Sequence, residues 1–181
     1  MALETDEVTA DWDGVAPTQK GGGKRQSDGI SLFMKLEPRP GKPYKFRLAC
    51  TPIVFRKHRW AFRTLKQWPI SPARDATQKD LDVAWSKGKY SPATSYAAFV
   101  FDRENNNRLR ILESGPDVFG PIGDHAHLCK INPASPTKGL DWVVEVTEDV
   151  DRKRRYMVTM DVQKGPTPFT EDEIKVLDNP K

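Results

Sequence analysis

Leu140-Asp141-Trp142-Val143-Val144-Glu145-Val146-Thr147 and, after a charged turn, Arg155-Tyr156-Met157-Val158-Thr159-Met160-Asp161-Val162 are the stretches that decide the fold. In the first, Leu140, Trp142, Val144 and Val146 alternate with Asp141, Glu145 and Thr147. In the second, Tyr156, Val158, Met160 and Val162 alternate with Arg155, Thr159 and Asp161. A side-chain period of two puts all the apolar groups on one face of an extended chain, so both stretches read as half-buried β-strands joined by a hairpin.

The same alternation recurs upstream. Tyr44, Phe46, Leu48 and Cys50 fall on one face and Lys45 and Arg47 on the other, so this strand is expected to turn its cations to water or to a ligand. After Thr51-Pro52, Ile53-Val54-Phe55 leads into Arg56 through Arg63, read as a second strand or as a hairpin turning near His58. Residues 67–93 contain Trp68-Pro69, Ser71-Pro72 and Ser91-Pro92 and are expected to be a loop-rich insertion with a short helix across Ala76 to Ser86. Tyr96 to Phe101 is apolar on both faces and ends at the turn cluster Asp102 to Asn107, before Leu109-Arg110-Ile111-Leu112, which predicts a hairpin with a central strand. Ser114-Gly115-Pro116-Asp117 opens a helix carrying Val118, Phe119, Ile122 and Leu128, a poor one because Gly120, Pro121 and Gly123 interrupt it. Thr170-Glu171-Asp172-Glu173 before Ile174 has the spacing of a capping box. The expected fold is mainly β: an OB-fold-like antiparallel barrel of five to six strands. One short helix precedes the last two strands, with the insertion at 67–93 and flexible termini.

The domain plan is a flexible arm at 1–29, a nucleic-acid-binding domain at 30–165 and a C-terminal tail with a short helix at 166–181. A chain of 181 residues suits one domain with tails. Its formal charge is only +4, but the distribution is lopsided. The first thirteen residues carry five acids (Glu4, Asp6, Glu7, Asp11, Asp13) and no base, whereas Pro38 to Arg74 carries ten Lys or Arg and no acid. Cys50 and Cys129 are the two cysteines, and no signal-peptide pattern opens the chain, so an intracellular, reducing compartment is expected, which would be the host cytoplasm for a viral protein. No apolar stretch nears the roughly 20 residues of a membrane helix, and a mean hydropathy of −0.66 agrees.

Single-stranded nucleic acid offers a line of phosphates and a row of exposed π faces; a binder indifferent to sequence needs cations along the backbone and rings for the bases. The Pro38 to Arg74 run supplies both. The expected contacts are Lys45, Arg47, Arg56, Lys57, Arg59, Arg63 and Lys66 as cations with Trp60 and Trp68 as rings, joined by Tyr90, Phe99 and Arg154. Phe46, Phe55 and one of Trp60 and Phe62 serve equally well as core. A soluble surface normally mixes charges, so an all-basic run favours a polyanionic ligand. Arg154 belongs to Arg152-Lys153-Arg154-Arg155 in the turn between the last two strands, a usual ligand-binding loop of OB barrels, though Glu148, Asp149 and Asp151 flank it. His125, His127 and Cys129 lack the paired spacing of a structural zinc site, and neither metal nor cofactor is expected. Nucleophile–base pairs, phosphate loops and dinucleotide fingerprints are missing from the sequence, so binding rather than catalysis is expected.

Lys45-Phe46-Arg47-Leu48, Tyr96-Ala97-Ala98-Phe99-Val100, Leu109-Arg110-Ile111-Leu112-Glu113 leading into Pro116 to Leu128, and Asn132 to Asp141 followed by Arg155-Tyr156 resemble, in that order, the bacteriophage replication-type, helix-destabilising single-stranded DNA-binding proteins. The resemblance spans about Lys42 to Val162. It implies an OB-fold core that coats single-stranded DNA without sequence preference during replication, recombination or repair, with replication or recombination proteins met through acidic tails. Some such proteins hold zinc in an insertion, but residues 67–93 contain no Cys or His. Two other readings stand beside this one: an RNA-binding OB-fold protein, and an adaptor docking an acidic protein partner through its basic face.

Overall fold

Seven strands, in a computed structural model that describes residues 31–58, 69–87, 91–151, 153–161 and 163–179, carry the architecture. They are β1 (Phe33–Met34), β2 (Tyr44–Leu48), β3 (Ile53–Lys57), β4 (Ala93–Asp102), β5 (Arg108–Ser114), β6 (Asp141–Glu148) and β7 (Arg154–Met160). They form one mixed sheet in the order β1-β5-β4-β2-β6-β7, with β3 also on β4. β1 runs parallel to β5, and the other pairings among the described residues are antiparallel.

The alternating hairpin forms as expected: Trp142 pairs with Met160, Val144 with Val158 and Val146 with Tyr156, and Trp142, Val144 and Val146 are buried. One edge of the long strand β4 serves two neighbours, the other β5. Its Val100–Asp102 end pairs with β2 and its Ala93–Ala97 end with β3, the chain breaking between them at Thr51-Pro52, where proline removes a backbone donor. Asn106 and Asn107, with φ of 52° and 55°, turn the β4–β5 hairpin through the left-handed region that Asn tolerates best after Gly.

The expected closed antiparallel barrel is corrected. Among the described residues no strand pair joins β7 to β5 or β1, and the edge of β5 that closure would use is taken by β1, a strand sequence reasoning had not anticipated. The helix α2 (Pro116–Cys129) packs against β7 as well as β4 and β5, and the Arg154 guanidinium crosses the gap to the Leu36 carbonyl at 3.1 Å. α2 forms fully in spite of Gly120, Pro121 and Gly123 because Val118, Phe119 and Ile122 bury against the sheet, and such packing outweighs propensity. In the insertion, the helix expected across Ala76 to Ser86 divides into a 3₁₀ stretch at Ala76–Leu81 and a short α1 (Val83–Ser86), capped by Asp75 and Asp82 respectively. Among the described residues no helix is long and apolar enough to cross a membrane.

The face of β2 opposite the core is also covered. The C-terminal segment, expected as a tail, packs there: Phe169 meets Phe101 edge-on at 5.5 Å, and Thr167 and Phe169 donate backbone hydrogen bonds to Gly139 and Pro136. The segment ends in α3 (Glu171–Asp178), whose capping box forms as expected: the Thr170 hydroxyl accepts from the Glu173 amide and the Glu173 carboxylate from the Thr170 amide. The other Glu173 oxygen accepts from Arg103, which also reaches Asp141 at 3.0 Å. Thr170→Ala is expected to cost about 1 kcal/mol, seen as a lower urea midpoint.

Arg47, expected to face water or a ligand, is fully buried under this second layer. Its guanidinium donates to the carbonyls of Thr167, Leu48, Pro133 and Ser135 and lies 4.8 Å from the centre of the Phe169 ring. Gly139 lies so close that a Cβ there would overlap the guanidinium. Burial pushes the Arg47 pKa down to about 10, against the opposing pull of Asp141, so the group stays charged at neutral pH. The Asn132 to Asp141 stretch is thus a cradle for a structural arginine.

Candidate nucleic-acid interface

Beyond Phe101, the face of β1, β5, β4 and β3 that points away from the core is left open by the described residues. Register sets Phe33 beside Ile111 and Ile111 beside Phe99, so these three side chains form a row across β1, β5 and β4. Strand spacing puts the two phenylalanine Cα atoms about 10 Å apart. Phe33, on the edge strand β1, is 47 % exposed, and Phe99 is 46 % exposed although β4 lies inside the sheet, where a large ring is usually covered. The next row on the same face holds Ile53, Ala97 and Glu113. Lys57 lies beyond it, with its ammonium 2.6 Å from both Glu113 oxygens and 5.2 Å from the Phe55 ring centre.

Between β1 and β7 this face drops into a groove of about 500 Å³ whose lining includes Phe33, Lys35, Glu37, Glu113 and Arg154. Lys35 is exposed, and neither it nor Arg154 has a carboxylate partner among the described residues. In the hairpin turn nearby, Lys153 pairs with Asp151 at 3.6 Å and Arg155 with Asp149 at 3.3 Å. The backbone amide of Lys153, then the Arg155 side chain, hold the Asp149 carboxyl below its usual range. The turn's acids therefore neutralise part of its basic cluster and leave Arg154 as the cation aimed at the groove.

The remaining expected contacts divide. Lys45 is half-buried, 3.9 Å from Asp161 and away from the open face. Arg56 points to the opposite face of β3 from Lys57, where it donates to the Arg74 carbonyl at 2.9 Å and lies over Trp85 at 5.0 Å. Arg47 is spent inside the fold and leaves the interface. Arg59, Trp60, Arg63, Lys66, Trp68 and Tyr90 lie outside the described residues.

The two ends of the chain flanking residues 59–68 are pinned together. His58 donates from its amide to the Pro69 carbonyl at 2.9 Å, and Ser71 to the Arg56 carbonyl at 2.8 Å. Behind them a buried hub forms: Asp82 accepts from the Ser71 hydroxyl, pairs with His58 Nε2 at 2.6 Å, and caps α1 by accepting from the amides of Ala84 and Trp85. Burial works to raise the Asp82 pKa, but the hydrogen bonds from Ser71 and His58 prevail and hold it below the ordinary carboxylate value.

No protein-family model matches this chain, and no curated protein matches it.

Phe33 is the exposed ring of this face that sequence reasoning missed; its one signal is the apolar run Leu32-Phe33-Met34 just past the Gly/Lys-rich stretch. His125, proposed neither as ligand nor as contact, meets Trp142 edge-on at 6.1 Å, and among the described residues no group of three His, Cys, Asp or Glu is placed to hold a metal.

Proposed function

We propose that this chain binds single-stranded DNA on the open face of β1, β5 and β4, as a coat protein without sequence preference that serves replication, recombination or repair, by binding rather than catalysis. The observation that carries the reading is the row Phe33–Ile111–Phe99. Two exposed rings about 10 Å apart suit bases of one extended strand, each stacked base contributing roughly 1–3 kcal/mol. Lys35 and Arg154, at the rim of the adjoining groove, are positioned for phosphates.

The topology supports an OB-type reading of the sheet. β2 and β3 act together as a bent first strand, β4 and β5 follow, α2 comes next, β6 returns to β2, and β7 lies outside it. Such folds are partly open Greek-key barrels whose second and third strands bear the ligand, with the loops after the first and fourth strands beside them. Here those strands are β4 and β5, and those loops are residues 58–92, which include Arg59, Trp60, Arg63, Lys66 and Trp68 of the basic and aromatic run, and residues 149–153.

Photo-crosslinking tests the placement. An oligothymidine carrying 4-thiothymidine is expected to attach to peptides containing Phe33 and Phe99, identified by mass spectrometry. Adducts confined to the Val54 and Arg56 face would refute it.

A further inference from the structure

We propose that the cleft between α2 and β4, with the Ile53–Phe55 edge of β3 that no described strand takes, is a docking site for an extended peptide of a partner protein in which a bulky apolar residue and an acidic residue stand two positions apart. The cleft is about 260 Å³. Tyr96 and Phe119, stacked with ring centres 5.4 Å apart, form its floor, Ile122, Ala126 and Pro133 contribute walls, and Thr51-Pro52 forms the rim that leads directly into β3. Beyond the rim Val54 pairs with Tyr96 and is 61 % exposed, and the next residue on that same face is Arg56, opposite Thr94. Two residues along a strand is about 7 Å, so apolar cleft and guanidinium sit one side-chain repeat apart.

Charge and backbone select the occupant. Arg56 is steadied by Trp85 and the Arg74 carbonyl and has no carboxylate within 4 Å among the described residues, Asp75 acting on it only at longer range, and Arg74 is exposed beside it. Only the Lys57 end of the outer edge of β3 is met by a described residue, Ile70, so Ile53 to Phe55 present backbone groups on which an added strand can pair. A peptide laid along that edge places alternate side chains on one face, the first in the cleft and the second on Arg56. The lining is mostly carbon, which favours an apolar side chain over a nucleobase, whose edge atoms would lose their hydrogen bonds. The site lies on the opposite face of β3 and β4 from Phe99, so a partner and single-stranded DNA can be held together.

The probe is a fluorescein-labelled Ser/Thr peptide carrying one Phe and, two positions later, one Asp, titrated by anisotropy against the full chain. Gly123→Leu fills the cleft without backbone strain, since a Cβ there meets nothing within 4 Å and leucine suits a helix better than glycine. The expected result is saturable binding that weakens at least about tenfold in Gly123→Leu and in Arg56→Glu, and for a peptide with Ser in place of Phe, while Gly123→Leu binds oligothymidine as before. Absence of saturable binding, or binding indifferent to Gly123→Leu, would overturn the proposal. So would displacement of the peptide by oligothymidine together with weaker oligothymidine binding by Gly123→Leu, which would make the cleft a nucleotide site.

Discussion

Arg47→Ala is expected to lower the thermal midpoint by roughly 6–12 °C while leaving oligothymidine affinity at low temperature unchanged. The guanidinium satisfies four carbonyls from three separate stretches of chain, at Leu48, at Pro133 and Ser135, and at Thr167. Truncation strands those carbonyls in a space that water cannot readily reach and removes one of the positive charges acting on Asp141, which is itself 2 % exposed. Breaking a buried charged cluster from one side typically costs about 3 kcal/mol or more, and in a domain of this size each kcal/mol moves the midpoint by roughly 2–4 °C. Calorimetry beside an affinity titration separates the roles. An unchanged midpoint with weakened binding would return Arg47 to the interface.

Replacing both Phe33 and Phe99 by Ala should have the opposite signature. Both rings are about half exposed, so the fold loses little, and the melting temperature is expected to stay within about 2 °C. Affinity for oligothymidine should fall at least about thirtyfold, taking ~1 kcal/mol from each ring. The salt dependence of binding should keep its slope, because the slope counts counterions displaced at phosphates by cationic groups and a phenyl ring carries no charge. Each single variant should account for about half of the loss on a logarithmic scale. A double variant with full affinity would remove the stacking row from the interface.

These two outcomes mark where the sequence was legible. The β6–β7 hairpin could be read residue by residue, because an alternating pattern of strong apolar groups admits one register. The capping box at Thr170 and the turn at Asn106-Asn107 were equally plain, since each is a local device whose residues are specific to it. Arg47 was misread for a physical reason: alternation says which side chains leave the first core, and is silent on whether a second layer lies over them. That layer, Thr167 through Glu173, comes from some 120 residues further along the chain. Phe33 escaped notice because β1 has two residues and acquires meaning only from pairing with β5, about 78 positions away. The helix α2 was undervalued because glycine and proline speak against it locally while burial of Phe119 and Ile122 decides in its favour. Barrel closure is likewise a long-range matter, settled by which strand takes the edge of β5.

The candidate site was half legible. The basic run led to the expectation of a polyanionic ligand, and of the contacts expected from it and beyond, Phe99, Lys57 and Arg154 border the open face or its groove. Arg56 could not be assigned from sequence, because consecutive residues of a strand face opposite ways and the register of β3 against β4 decides which of Arg56 and Lys57 joins Phe99.

Titrating the full chain into labelled oligothymidine by fluorescence anisotropy, over a series of salt concentrations with duplex DNA and RNA of matched length as competitors, tests the central claim most directly. Tight binding that weakens steeply with salt and yields only to single-stranded DNA is the expected result; no binding at low salt, or equal competition by duplex, would contradict it.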